Sequence, residues 1–136
     1  MNYMNYKYYL IIYELDNRTH IQVGRLGGFW FPEGYYVYVG KDHRNIRARV
    51  SRHISKNKKP RWHIDYFSYY ALPIAMRLIP GENDLDECMI SEQLLHLGGE
   101  ILISKFGSSD CGCPSHLIYF KDLQTGLQEF LEGLYS

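Results

Sequence analysis

The sequence predicts a small α/β fold of the α+β kind, with a central, mainly antiparallel sheet of three or more strands flanked by helices. Three observations predict it. The chain has 136 residues, about one domain's length. Short runs rich in Tyr, Ile and Val alternate with turn residues, then give way to stretches with apolar residues every three or four positions. Hydrophobic residues make up 46% of the chain and charged residues 22%, ordinary for a globular domain and too apolar for a disordered one. No repeat, low-complexity tract or Pro- or Ser-rich linker divides it, so residues 1–136 read as one domain.

Residues 8–15 are rich in Tyr, Ile and Leu and end at the turn pair Asp16-Asn17, so they read as the first strand, with residues 20–23 open as its continuation. Gly24, Gly27, Gly28, Pro32 and Gly34 mark a loop. Residues 35–39 form a second strand, closed by Gly40 and expected to pair antiparallel with the first. The period then becomes helical: Ile46, Val50 and Ile54 recur every fourth position, with Arg44, Arg47 and Arg52 on other faces. Residues 57–60 break this basic helix, and residues 62–70 are open to helix or strand. Residues 74–79 read as a strand closed by Pro80-Gly81. Asn83 is placed to cap a helix beginning near Asp84, with acids in its first turn and Gly98-Gly99 at its end. A short apolar run at 101–103, a loop of Gly, Ser and Cys, a strand at 116–120 and a helix from about 125 to 134 complete the chain.

The uncharged apolar runs YYLIIY and LLHLGG are far shorter than the roughly 20 residues of a membrane-spanning helix, so no membrane partner is expected. The amino terminus shows no small-residue cleavage site, and three cysteines cannot pair off completely. Both point to the cytoplasm. Formal net charge is zero, but residues 41–61 carry nine Lys or Arg and one acid, Asp42, while residues 82–100 carry six acids and no Lys or Arg. A solvated helix face accounts for either block alone. Together, one pole suits a phosphate backbone and the other a carboxylate that holds a divalent cation, which points toward nucleic acid.

Tyr38-Val39-Gly40 ends a strand just before the basic helix, so the Tyr38 hydroxyl and the helix amino terminus border one anion-accepting cavity. Arg49 and His53, four apart, share a helix face beside the apolar stripe. A surface cation and a satisfied boundary histidine is the competing account. Glu87 borders Ile90 and Leu94, while Glu92 shares a face with Leu85, Cys88, Met89 and Leu95. Either acid suits a hard cation if it turns into a cleft, and either is a solvated helix acid if it does not. Cys111, Cys113 and His116, with Cys88 as a fourth residue, offer zinc-ligand types. They lack a second Cys pair and the usual spacing, so zinc is not expected, and small buried thiols in a tight turn are. A Cys nucleophile paired with His116 or His96 has no supporting motif.

The strand with Tyr9, the strand ending Tyr38-Val39-Gly40 and the helix NIRARVSRHI resemble the core of the GIY-YIG nuclease superfamily. Members such as the nuclease subunit of bacterial nucleotide excision repair have a YVGK element, then a helix with Arg where Arg49 stands and Tyr or His where His53 stands. A Glu on a later helix binds the metal there, and Glu87 in ECMISEQLL matches it best. The strings VGRLG, YVYVG, RWHIDYF and FGSSDCGCPSHLIYF are similar to an uncharacterised branch of that superfamily, catalogued as a domain of unknown function. Lys7-Tyr8-Tyr9 leaves either tyrosine for the first motif, and 28 residues separate Tyr9 from Tyr38, so the Gly-rich insertion must loop out or add strand.

The resemblance implies metal-dependent hydrolysis of DNA phosphodiesters, with one Mg2+ or Mn2+ on Glu87 and the scissile phosphate. It implies Arg49 neutralising charge on the phosphate, Tyr9 or Tyr38 orienting or deprotonating water, and His53 as proton relay or phosphate ligand. Gly40, Lys41, Arg52 and His63 are the expected substrate-side residues. His63 and Asp65 have a second reading, fixing the loop after the basic helix. A second function class is a non-catalytic nucleic-acid-binding module using Lys56, Lys58, Lys59, Arg61 and exposed tyrosines. A third is a small interaction domain or homodimer. Oligomeric state and the choice of DNA over RNA stay open.

Overall fold

The computed structural model describes residues 6–42, 44–81, 86–108 and 112–123, with residue 128. Its strands are β1 (Tyr6–Leu15), β2 (Thr19–Val23), β3 (Gly27–Phe31), β4 (Gly34–Lys41), β5 (Leu72–Pro80) and β6 (Leu117–Phe120), and its helices are α1 (Ile46–Ile54), α2 (His63–Ser68) and α3 (Glu87–His96). A four-stranded sheet has the order β5-β1-β4-β6, and β2-β3 form a separate two-stranded sheet. Every pairing is antiparallel. The fold is thus a small α+β fold, as the sequence predicts.

β1 is central and covered on both faces, which explains its nearly unbroken apolar run. Alternation along the strand sends Tyr9, Ile11, Tyr13 and Leu15 into a core with α1, α2 and the β2-β3 hairpin. Tyr8, Leu10 and Ile12 enter the opposite core, beneath Ile90 and Leu94 of α3. Tyr9 therefore shares its face with the basic helix, and Tyr8 does not.

Three expectations need correction. Residues 20–23 do not prolong β1; they turn away to pair with residues 27–31, which were expected to be loop. Gly24 and Gly27, both at positive φ, flank the tight turn between them, and Phe31, fully buried, anchors the hairpin to the core. In α1, Ile46 and Val50 are buried but Ile54 is 44% exposed, because His53 takes the inward place at the helix end. The short apolar run at 101–103, for which no element was expected, is irregular and bent and leads into a turn at 104–107, with Glu100 just before it bridging to Tyr119. Last, the expected free thiols are a Cys88–Cys113 disulfide joining α3 to the segment before β6.

The undecided stretch after α1 resolves into α2. Asp65 Oδ2 accepts from the backbone N–H of Arg61 and of Trp62, each at 2.8 Å, fixing the helix start. α3 is capped by Asp86, whose Oδ1 accepts from Met89 N at 2.8 Å. The proposed Asn83 cap, Asp84, Leu85, Cys111 and nearly all of the helix expected at 125–134 lie outside the described residues.

Candidate active site

An open cleft of about 720 Å³ lies where the carboxyl end of β4 meets the amino ends of α1 and α3. Tyr9, Tyr38 and Gly40 form its floor, Arg49 and Arg52 line the α1 side, and Glu87 and His116 stand opposite, with Lys41 between. α1 and α3 cover opposite faces of the sheet. They share a cleft because Lys41, at the end of β4, reaches both: its carbonyl accepts from Arg49 Nη1 at 3.4 Å and its ammonium lies 3.6 Å from Glu87 Oε1.

The floor depends on a glycine. Gly40 pairs with Tyr9 across the strands, and a Cβ at Gly40 would stand 2.2 Å from the Tyr9 ring and hydroxyl. Only Gly lets the phenol lie across β4 toward α1. There the Tyr9 hydroxyl is 2.6 Å from His53 Nε2. Tyr13 Oη donates to the His53 carbonyl at 3.2 Å, and Lys58 Nζ donates to the Arg52 and His53 carbonyls at 2.8 and 3.2 Å. His53 is therefore pinned behind Tyr9 rather than lining the cleft. Tyr38 completes the aromatic cluster, its ring centroid 6.4 Å from Tyr9 and 5.5 Å from His53.

Both members of the Tyr9–His53 pair are held neutral. Burial pushes the Tyr9 hydroxyl above its ordinary range, Tyr38 adds to the rise, and the Arg49 guanidinium opposes it. Burial lowers His53 to about 3, helped by Lys58 and the two arginines and opposed by Asp65.

Arg49 is aimed by three contacts: Nε lies 3.1 Å from Asp42 Oδ2, Nη1 meets the Lys41 carbonyl, and the guanidinium lies 4.3 Å over the Trp62 ring. Arg52 and Arg61 lie over the same ring at 4.9 and 5.2 Å. Asp42 also accepts from Arg44 N at 2.7 Å and Asn45 N at 2.8 Å, so one acid sets both the entry to α1 and the pose of Arg49.

Glu87 is 8% exposed, at the first turn of α3. Its Oε2 lies 3.7 Å from His116 Nδ1. Burial lowers the His116 imidazole, Glu87 opposing and Lys41 adding to the effect. Glu92 faces solvent, beside His96 one turn on, so of the two candidate acids only Glu87 reaches the cleft. The buried side of α3 is Glu87, Ile90, Ser91 and Leu94, not the Met89 side.

His63 does not line the cleft. Its Nδ1 accepts from Gly107 N at 2.8 Å and its ring packs on Phe106, so it braces the 106–107 turn against which Tyr38 rests. Asp65 anchors the loop after α1: Oδ2 accepts from Arg52 Nη2 at 2.8 Å and Oδ1 lies 3.6 Å from Lys58 Nζ. Lys58 is also correspondingly withdrawn from the surface, and Lys56 donates to the carbonyls of Ser68, Tyr69 and Ala71 at the end of α2. Lys56 stays exposed while it caps those carbonyls, whereas the Lys58 ammonium is turned inward, away from the solvent-facing position expected of it.

Sequence reasoning passed over Trp62, Asp42 and the cleft-facing role of His116. Trp62 sat beside the more conspicuous His63 in RWHIDYF. Asp42 could have been found as the lone acid among nine cations.

The chain belongs to the family described as Domain of unknown function DUF123, whose family model matches residues 8–135. No curated protein and no solved structure matches it. Among the described residues, no helix is long and apolar enough to cross a membrane.

Proposed function

We propose that this chain is a divalent-metal-dependent endonuclease of the GIY-YIG type that hydrolyses DNA phosphodiester bonds. One observation carries the reading: Tyr9, Tyr38, Arg49 and Glu87, far apart in sequence, line a single cleft, with His53 2.6 Å behind the Tyr9 hydroxyl. Lys41, Arg44, Arg49 and Arg52 make the walls cationic, suiting a phosphodiester.

The residues fit a hard divalent ion. The Glu87 carboxylate faces the cleft, and among the described residues its charged neighbours stand at 3.6 and 3.7 Å, which orients it without consuming its oxygens in short hydrogen bonds. One carboxylate, a substrate phosphate and waters form a common Mg2+ or Mn2+ ligand set. Bound there, the ion would supply Lewis-acid polarisation of the phosphoryl group.

The chain's own groups do the rest. Arg49, locked by Asp42 and Trp62, neutralises charge that builds on the phosphate oxygens. The Tyr9 oxygen orients the attacking water, while its proton points along the 2.6 Å contact toward neutral His53 Nε2. A phosphodiester anion entering the cleft draws the His53 pKa upward, making the imidazole a better acceptor for that proton. Trp62, with Arg49, Arg52 and Arg61 over its ring, holds these cations at the cleft wall where a phosphate would pass.

The test is a panel of supercoiled, branched and single-stranded DNA with Mg2+ or Mn2+, using wild type, Glu87→Gln and Arg49→Ala. Wild type should cut, and Arg49→Ala should lose about 10²- to 10³-fold, the scale of one lost transition-state donor. Glu87→Gln should abolish cutting. DNA binding with steep salt dependence but no cleavage would replace the nuclease with a binding module. No DNA binding at low salt would remove both readings.

A further inference from the structure

Behind Glu87 lies a second cluster of chemically capable groups. Ligand atoms of Cys88, Cys113 and His116 all fall within 4.8 Å of one another. Cys113 is 1% exposed and His116 4%. A disulfide needs two residues only, yet a buried imidazole stands against both sulfurs. Two thiolates and an imidazole are the donor set of zinc and its neighbours, and a poor one for magnesium.

We propose that Cys88, Cys113 and His116 form a transition-metal site of the zinc class, and that the Cys88–Cys113 disulfide is its oxidised, metal-free state. The donors are held in place before any ion arrives. Cys88 lies in the first turn of α3, and the segment carrying Cys113 and His116 is tied down by Lys105 N to the Pro114 carbonyl at 2.6 Å and His116 N to the Phe106 carbonyl at 2.9 Å. The cysteine Cα atoms are 5.3 Å apart, close enough for side-chain rotation alone to open the sulfurs to the spacing of about 3.8 Å that two Zn–S bonds at a tetrahedral angle require. Glu87 Oε2, 3.7 Å from His116 Nδ1, supplies the carboxylate that commonly orients a ligating histidine.

Interconversion needs a dithiol reductant. It delivers two electrons and two protons to the disulfide, giving two thiols, and itself becomes a disulfide. The ion then binds both sulfurs as thiolates, and two protons leave to solvent. The metal would join α3 to the segment before β6 as the disulfide does, so Glu87 stays anchored at the cleft in either redox state. The site requires nothing of the nuclease reading.

The experiment uses the full chain, reduced anaerobically with a dithiol, freed of reductant and titrated with Zn2+ or with Co2+ as a visible reporter. Expected are one equivalent bound per chain, a thiolate-to-cobalt charge-transfer band and intense tetrahedral d–d absorption. Cys113→Ser should lose the band, and His116→Asn should bind at least about 10-fold more weakly. The oxidised wild-type chain, a control that needs no substitution, should bind no equivalent. The proposal is overturned if the reduced chain shows no stoichiometric binding, if Cys113→Ser binds as wild type does, or if oxidation leaves binding unchanged. Because no DNA is present, failure here leaves the nuclease reading standing. Loss of cleavage with zinc binding intact does the reverse.

Discussion

Replacing Asp65 with Ala tests how the basic loop is held against the cleft. The carboxylate is fully buried; Oδ2 accepts from Arg61 N, Trp62 N and Arg52 Nη2, each at 2.8 Å, while Lys58 Nζ lies 3.6 Å from Oδ1. Truncation strands Lys58, whose side chain is 6% exposed. Breaking a buried pair from one side costs about 3–5 kcal/mol. Arg52, 30% exposed, can turn to water, so the lower end applies, about 3 kcal/mol or on the order of 10 °C in Tm. Urea unfolding followed by circular dichroism measures it. Lys58→Met, which also removes the donor to the Arg52 and His53 carbonyls, should cost at least about 1 kcal/mol less in the Asp65→Ala background than in wild type, since only there does it remove a stranded charge. Burial alone would raise the Asp65 carboxyl; the Trp62 and Arg61 N–H groups, Arg52 and Lys58 outweigh it and hold it below its usual value. Its contribution is therefore complete above about pH 4 and fades as pH falls through the folded value. A loss under about 1 kcal/mol at pH 7, or equal costs of Lys58→Met in the two backgrounds, would refute the account.

Gly40→Ala should push the Tyr9 ring off the floor. A shift of about 1 Å at a catalytic group costs on the order of 10²-fold in rate, so cleavage assays should show at least that loss with DNA affinity nearly unchanged. His53 is depressed to about 3 in the fold, against about 6.5 unfolded. The unfolded chain thus takes up the proton first, and stability falls as pH drops from about 6.5 toward 3, reaching about 3 kcal/mol of loss near pH 4. His53→Gln should flatten that slope in urea titrations, and an unchanged slope would show that His53 is not its source. Lys56→Met leaves the carbonyls of Ser68, Tyr69 and Ala71 without their ammonium donor and should cost about 1–2 kcal/mol, with no change in the salt dependence of DNA binding. A reduced salt slope would instead make Lys56 a phosphate contact.

Elements whose periodicity is generated by their own burial were legible. β1 and β4 are clad on both faces and read as dense Tyr, Ile and Val runs, and Ile46 and Val50 gave α1. Where one residue's environment came from distant chain, the pattern misled. Glycines at 24–34 announced a loop, yet Phe31 reaches the core and pulls the segment into a hairpin with β2. Ile54 fitted the apolar stripe better than His53 does. The structure buries the histidine because Tyr9, on another element 44 positions away, supplies its partner. The cysteine count argued against pairing, although it forbids only complete pairing: one bridge and one remaining cysteine satisfy it equally well.

The cleft shows the same division between local pattern and distant context. Arg49, Glu87 and Glu92 stood out because each lies in a helix with a one-signed charge block. What brings Arg49 and Glu87 to one place is a strand end. Residues alternate across β4, so Tyr38 and Gly40 face α1 while Val39 packs beneath α3, and at Lys41 the backbone carbonyl and the side chain address different helices. Shifting β4 by one residue against β1 would place Val39 opposite Tyr9, where a side chain collides with the ring, and turn Tyr38 to the face beneath α3. Register, set by the Gly40–Tyr9 fit and the two apolar cores, is therefore what converts separated charge blocks into one cleft. No single segment encodes it, which is why helix faces alone could nominate Glu87 and Glu92 equally, while the packed sheet admits only one of them.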